Sequence, residues 1–367
     1  MSINRVRISQ LRNIEHAELD LRRINLLCGA NGSGKTSVLE AIYLLGSGRS
    51  FRSARLDPLI RHEARRCTVF ASVSSGEGAQ GPAVAMGVSR DREGALVGRI
   101  QGQAIRSAAE LAWRLPVQLI NSSTFDLIEG GPRARRRFLD WGVFHVEHGF
   151  QRLWLDVERS LRQRNALLRR GRIPTPELET WNTRFVADAK RLDELRQGYF
   201  NQFYPVFQQI LAELLQVDAL ELRYFRGWDA ERELGDVLAE HLERDRDRGF
   251  TVHGPHRADL RVRSRGLNAA EVLSRGQQKL VVAAMKMAQG QLFMTRSARH
   301  CVFLVDDLPA ELDREHRRQL CGLLARMRCQ VLLSCVDADE LRDCWAGVDP
   351  QQIQMFHVEQ GAFSAPN

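Results

Sequence analysis

The sequence predicts an α/β fold built around a phosphate-binding loop, with a helical segment set into its sheet. Three observations predict it. Gly29-Ala30-Asn31-Gly32-Ser33-Gly34-Lys35-Thr36 fits G-x-x-x-x-G-K-[ST] in full. It lies between an apolar run, Ile24-Asn25-Leu26-Leu27-Cys28, and a helix-period pattern, Val38, Leu39, Ile42, Tyr43 and Leu45. Strand signals lapse near residue 133 and return after Gly249. A strand feeding directly into a helix opens a parallel α/β unit.

The elements follow in order. Val6-Arg7-Ile8 alternates, so residues 3–29 read as short strands. Cys67 to Ile100 reads as a meander broken at Gly-rich stretches such as Ser75-Gly76-Glu77-Gly78. Leu115-Pro116-Val117-Gln118-Leu119-Ile120 is a further strand. The next stretch is helical and heavily charged, with one apolar stripe at Leu153, Val157, Leu161 and Leu168 and a second at Phe185, Ala189, Leu192 and Leu195. The breaker Gly171-Arg172-Ile173-Pro174-Thr175-Pro176 between them predicts an antiparallel helical hairpin. Strands return at Ala258-Asp259-Leu260-Arg261-Val262-Arg263, Val302-Phe303-Leu304-Val305 and Gln330-Val331-Leu332-Leu333. Three segments result: 1–132, a nucleotide-binding lobe with the first part of the core sheet; 133–248, a helical arm forming a second lobe; and 249–367, the end of the core.

Composition narrows the class. The 367 residues are 44% hydrophobic, enough for a sizeable core. No run of about 18 apolar residues exists, which excludes a transmembrane helix. Charges at Arg5 and Arg7 interrupt any signal-peptide core, so the chain is expected in the cytoplasm. Seven cysteines without a C-x-x-C pair do not make a disulfide framework or a zinc site. The formal charge is +8, and only Lys35, Lys190, Lys279 and Lys286 of the 53 basic residues are lysines. Forked guanidinium donors on a net positive chain suit a phosphate-bearing partner.

The loop carries the chemistry. Its glycines let the backbone wrap phosphate oxygens, and successive N–H groups with the helix N-terminus supply positive potential. Lys35 is placed to reach the β and γ phosphates of a nucleotide, and Thr36 to ligate Mg²⁺. Cys301–Val305 is an apolar strand ending in Asp306 and Asp307. Asp306 would hold Mg²⁺, and Asp307 would polarise the attacking water. His253 and His256 flank Gly254-Pro255, but no third ligand lies nearby, so a shaped turn is the better reading than a metal site.

Leu273-Ser274-Arg275-Gly276-Gln277-Gln278-Lys279, followed by a helix pattern, resembles the LSGGQ signature of the ABC ATPase superfamily, with Arg275 in place of glycine. Pro309-Ala310-Glu311-Leu312-Asp313 resembles its D-loop. The resemblance implies an ABC-type P-loop ATPase head with a helical second lobe, the SMC/Rad50-like arrangement. It implies a composite site in which Ser274, Gln277 and Asp313 meet nucleotide held by a second copy, so that ATP drives a homodimer. It also makes Gln118 a candidate Q-loop residue. The 238 residues from Lys35 to Leu273 exceed the spacing of transporter ATPases, and the helical stripes are too short for the long coiled coil of a DNA-tethering cohesion protein. A P-loop enzyme acting on small molecules would not need the Ser274 segment.

Further stretches resemble the RecF family. They are Leu11-Arg12-Asn13-Ile14 leading into Gly29–Glu40, Gly48-Arg49-Ser50-Phe51-Arg52, Gly130–Asp140, Gly254-Pro255-His256-Arg257-Ala258-Asp259 and Asp306-Asp307. Ser122-Ser123 departs from that family's usual Pro-Glu. The resemblance implies ATP-dependent DNA binding in recombinational repair and replication, at single-strand/double-strand junctions of gapped DNA. It implies a RecR-type mediator partner, recombinase loading, a role in SOS induction and weak ATPase activity acting as a dimerisation switch.

Slow turnover has local support: Asp307 is one methylene shorter than the usual glutamate, and the strand ending Ser334-Cys335 lacks the superfamily's histidine. Arg49, Arg52, Arg55, Arg61, Arg65 and Arg66 crowd one window with only Asp57 and Glu63, which makes them candidate DNA-phosphate contacts. Arg133, Arg135, Arg136 and Arg137 form a second cluster beside Phe138-Leu139-Asp140, where some are expected to pair internally. No aromatic interleaving suited to stacking single strands is present, which favours backbone contact with duplex.

Overall fold

The computed structural model describes residues 2–53, 58–74, 82–170, 175–217 and 219–364. The chain begins β1 (Ser2–Leu11), β2 (Ile14–Asp20), β3 (Ile24–Cys28), α1 (Lys35–Ser47), β4 (Arg66–Ser74), β5 (Ala83–Asp91), β6 (Leu96–Ile100), β7 (Gln103–Ala104), α2 (Ala108–Arg114) and β8 (Val117–Ile120). It continues through α3 (Pro132–Val146), α4 (Phe150–Leu168), α5 (Thr175–Leu214), β9 (Leu220–Phe225), α6 (Leu234–Glu240), α7 (Leu242–Arg248), β10 (Asp259–Ser264), β11 (Leu267–Asn268) and α8 (Ala269–Val272). It ends with α9 (Arg275–Ser297), β12 (Val302–Val305), α10 (Leu308–Glu311), α11 (Arg314–Arg326), β13 (Gln330–Cys335), β14 (Ile353–Glu359) and β15 (Ala362–Ser364).

The chain divides into two units. The first holds Met1–Phe125, Gln209–Gln216 and Arg275–Asn367; the second holds Asp126–Gln208 and Val217–Ser274. The first unit contains two six-stranded sheets. One is antiparallel in the order β2-β1-β4-β5-β6-β7. The other runs β15-β14-β3-β13-β12-β8, parallel except for β15. Its central strands are buried throughout, as in a sheet covered on both faces: β12 is buried at every residue, and so is β13, although β13 carries the polar Gln330 and Ser334.

Helix α1 lies in the core shared by the two sheets. Val38, Leu39, Ala41, Ile42, Leu44 and Leu45 are all fully buried, so the helix is apolar around most of its circumference. Each of the Val, Leu and Ile side chains among them contributes roughly 1.5–3 kcal/mol of burial. Packing α1 on all sides fixes the phosphate loop at its N-terminus.

The second unit has the antiparallel sheet β11-β10-β9 and the helical arm. The stripes read from the sequence are buried at Val157, Leu161 and Leu168 on α4 and at Phe185, Ala189 and Leu192 on α5. Contacts run Arg164 to Asn182 and Asp156 to Arg184, so the two helices pair antiparallel. The Gly171–Pro174 part of the breaker, Ser75–Gly78 of the meander, Arg55 and Asp57 lie outside the described residues. Arg164, fully buried, donates to Asp245 Oδ2 at 2.8 Å and Thr251 Oγ1 at 2.6 Å, a polar knot joining α4 to α7 and the residues that follow it. Among the described residues no helix is long and apolar enough to cross a membrane.

Candidate nucleotide-binding site

Parallel strands β3, β13 and β12 end at one edge of their sheet, where ligand crevices of open α/β sheets form. β3 delivers the loop 29–34, β13 delivers Ser334, and β12 delivers Asp306 and Asp307. Two glycines have no substitute here. Gly29 adopts φ +154, and a Cβ there would meet Val358 O at 2.2 Å; Gly34, with φ +124, turns the chain into α1. The first turn of α1 carries no acidic residue, which leaves its positive end free for an anion.

Within the loop, Lys35 Nζ donates to Gly29 O at 2.7 Å and Ala30 O at 2.9 Å. The Ser33 hydroxyl is buried without a hydrogen-bond partner. Thr36 Oγ1 donates to Asp306 Oδ1 at 2.9 Å. Ser334 Oγ donates to the same oxygen at 2.7 Å and accepts from Asp307 N at 2.7 Å. Asp307 sits in the left-handed region, with φ 53 and ψ 47, where it starts α10. Such non-glycine strain costs on the order of 1–3 kcal/mol and clusters at functional sites. Thr36 and Asp306 offer hard oxygen donors side by side. That donor set fits Mg²⁺, which takes one or two protein ligands and completes its shell with phosphate and water. Among the described residues no group of three His, Cys, Asp or Glu assembles a dedicated metal cage.

These groups open onto a cleft of about 610 Å³, lined among others by Arg12, Asn13, Lys35, Thr36, Arg52 and Asp307. From the sequence, Asn13 stands out only as part of the stretch Leu11–Ile14 that resembles the family. Its Nδ2 donates to Gly32 O at 3.2 Å and Ser33 O at 3.0 Å, and its Oδ1 accepts from Ser37 Oγ at 2.9 Å, so it straps the loop to α1. Arg12 is held by Glu40, fully buried on α1, through two bonds of 2.8 Å, and Ser50 donates to the same carboxylate. A buried glutamate inside an apolar helix is the signal that would have found this pair.

The remaining candidates separate. Ser274 is exposed at the end of the second unit, while Gln277 lies half-buried in the first turn of α9, in the first unit. A Cβ at neighbouring Gly276 would meet nothing within 4 Å, so this turn faces open space. Asp313 caps α11: its Oδ1 accepts from His316 N at 3.0 Å and its Oδ2 contacts His316 Nδ1 at 2.6 Å. Those bonds hold its carboxyl below the usual range. Gln118 does not line the cleft. It is buried and donates to Gln289 Oε1 at 3.0 Å, tying β8 to α9, so the Q-loop expectation gives way to a structural pair.

The arginine window also divides. Arg52 lines the cleft and Arg61 pairs with Glu15 at 3.3 Å. Arg49, Arg65 and Arg66 are exposed and have no carboxylate partner among the described residues. In the second cluster, Arg135 forks onto Asp259 and Arg136 donates to Ala258 O, which makes those two structural. His256 Nε2 is engaged by Thr251 O at 2.9 Å, in a turn at Pro255–Arg257.

The family described as the RecF/RecN/SMC N-terminal domain matches residues 2–364. The DNA replication and repair protein RecF of Pseudomonas fluorescens Pf-5 is 52% identical over 362 residues, covering 98% of this chain and 97% of that protein. RecF of Azotobacter vinelandii is 51% identical, covering 98% of each. A solved structure described as the recombination mediator protein RecF-ATP in the RecFOR pathway superposes with a TM-score of 0.85 at 21% identity, covering 100% of this chain and 97% of that one. The Smc head domain of Pyrococcus furiosus, bound to the C-terminal domain of ScpA, follows at a TM-score of 0.58 and 14% identity, covering 99% of this chain and 95% of that one.

Proposed function

The chain belongs to the RecF/RecN/SMC N-terminal domain family and serves DNA replication and repair as its RecF relatives do, and on that premise we propose that it is an ATP-governed DNA-binding switch. The observation that carries the reading is the bond from Thr36 to Asp306. It joins a complete phosphate loop to a strand-end carboxylate beside a cleft large enough for a nucleotide.

ATP occupies the cleft with its phosphates on the loop amides and the N-terminus of α1. Lys35 exchanges its carbonyl partners for the β and γ phosphates. Thr36 and Asp306 hold Mg²⁺, which screens the phosphate charge when bound. Asp307 orients and deprotonates water. Its short side chain and its left-handed backbone favour slow hydrolysis, as does Ser334 in place of a cationic residue at the end of β13. Ser274, Gln277 and Asp313 complete the site of a second copy, so ATP drives homodimerisation and hydrolysis releases it. Exposed Arg49, Arg65 and Arg66, with Arg55 of the same window, contact DNA phosphate without reading sequence. The substrate is gapped DNA at single-strand/double-strand junctions, and a RecR-type mediator couples the switch to recombinase loading and SOS induction.

Light scattering with ATP and Mg²⁺, with and without a gapped duplex, tests the reading. A nucleotide-dependent shift from monomer to dimer is expected. Monomer under every condition would remove the switch.

A further inference from the structure

Cys28 and Cys335 face each other at the foot of the phosphate loop. Strands β3 and β13 run parallel with Cys28 and Cys335 in register, at the last residue of each strand. Their Sγ atoms lie 3.2 Å apart. Adjacent strands are about 4.8 Å apart, inside the Cα separation that a disulfide spans. Forming the bond needs the sulfurs to close by about 1 Å. Both cysteines are free, and Cys28 keeps 5% exposure while Cys335 keeps none.

We propose that this pair is an oxidisable dithiol, converted by peroxide to a Cys28–Cys335 disulfide that lowers the affinity of the adjoining loop for nucleotide. The second half rests on the ATP reading above; the disulfide itself does not.

The two thiols divide the chemistry. The hydrogen bond shared with Cys335 holds the Cys28 thiol below its ordinary range, with the Lys35 charge acting in the same sense against burial and Asp337. The same contact, together with burial, raises Cys335. Cys28, the more exposed and more acidic partner, attacks one peroxide oxygen. The O–O bond breaks, hydroxide leaves and is protonated to water, and Cys28 becomes a sulfenic acid. The Cys335 sulfur then attacks the Cys28 sulfur. The S–S bond forms, the S–O bond breaks, and the hydroxyl leaves as a second water with the Cys335 proton. Two thiols lose two electrons and one peroxide becomes two waters. A dithiol reductant reverses the bond by exchange.

The link to the loop is one residue long. Cys28 precedes Gly29, and Gly29 N donates to Val336 O at 3.2 Å, the residue after Cys335. Gly29 O accepts from Lys35 Nζ. Drawing the two strand ends together therefore moves the carbonyl that positions Lys35 and the first amide of the loop, where Gly29 already lies against Val358 O. Loss of one charge-assisted hydrogen bond to phosphate corresponds to about tenfold in affinity.

The test uses the full chain, treated with hydrogen peroxide, quenched by alkylation and digested. Cys321 and Cys344 also share a thiol contact, so the linkage is assigned by peptide mapping. A Cys28–Cys335 linked peptide is expected, with affinity for a fluorescent ATP analogue falling about tenfold and restored by dithiothreitol. Cys335→Ala is expected to bind nucleotide as the reduced protein does and to keep that affinity under peroxide, because a Cys28 sulfenic acid alone does not draw the strand ends together. Alkylation of both residues after peroxide overturns the proposal. So does a linked peptide with unchanged affinity, or a Cys335→Ala chain that still loses affinity. Reduced protein that binds no nucleotide overturns the ATP reading and the affinity half with it, while the linked peptide still decides the disulfide.

Discussion

Thr36 Oγ1 and Asp306 Oδ1 are joined by a 2.9 Å hydrogen bond although 270 residues separate them in sequence. The bond exists because β3 and β12 flank β13 in one parallel sheet, so both strand ends arrive at the same edge. It is the arrangement a phosphate-bound cation needs: one hydroxyl and one carboxylate oxygen facing a common point.

Asp306→Asn removes the charge and keeps the shape. Its affinity for an ATP analogue in Mg²⁺ is expected to fall by about tenfold or more, the loss of a charged interaction. Affinity without Mg²⁺ should change little. Titration in both buffers checks this, and an equal loss in both would remove Asp306 from the metal.

Glu40 is fully buried and holds Arg12 by two 2.8 Å bonds, while Arg12 lines the cleft. Removing one member of such a pair strands the other, at a cost of about 3–5 kcal/mol. Glu40→Ala should therefore lower the urea midpoint strongly, and it should weaken nucleotide binding because Arg12 loses its anchor. A stable Glu40→Ala chain with normal binding would show that Arg12 is held by other groups.

The parts of this site that were legible in sequence are those set by local rules. The loop has a fixed residue pattern, and Val302–Val305 is a short apolar run ending in acids, so β12 and its carboxylates could be read directly. The bonds made by Asn13, Glu40 and Ser334 could not be read, because each acts through a partner that only the fold brings near. Gln118 shows the converse. Its position at the end of a strand region suited a loop sensor, but β8 is buried on both faces, and there Gln289 satisfies it. The arm was legible by its stripes as far as Leu195, yet α5 runs on to Leu214 through Pro205. A proline normally ends a helix pattern, so tertiary packing overrides it here.

Ser274 is exposed beside Gly276, around which there is open space, so a long side chain can be accommodated within one chain. Ser274→Arg should leave ATP binding by the monomer unchanged and abolish the ATP-dependent dimer. Light scattering with ATP and Mg²⁺ measures it. A Ser274→Arg dimer would mean that the signature turn does not face a second copy.

His256 gives the fold a pH dependence. Burial pushes its imidazole down to about 4, with Arg257 and Arg136 acting in the same direction and Asp245 and the Thr251 carbonyl opposing. Its Nε2–H donates to Thr251 O at 2.9 Å, and its Nδ1 is buried without a partner, so the neutral ring is the form that fits. An unfolded histidine takes up a proton near pH 6.5. Between about 6.5 and 4 the unfolded chain therefore binds the proton and the folded chain does not, and stability falls as pH falls. The contribution is present in full above that window and lost below it, at most about 3 kcal/mol. His256→Gln keeps a donor for Thr251 O and does not titrate. The stability gap between the parent and this variant, measured by urea unfolding at pH 7 and again near pH 4.5, should therefore shrink in acid; parallel pH curves would place the acid sensitivity elsewhere.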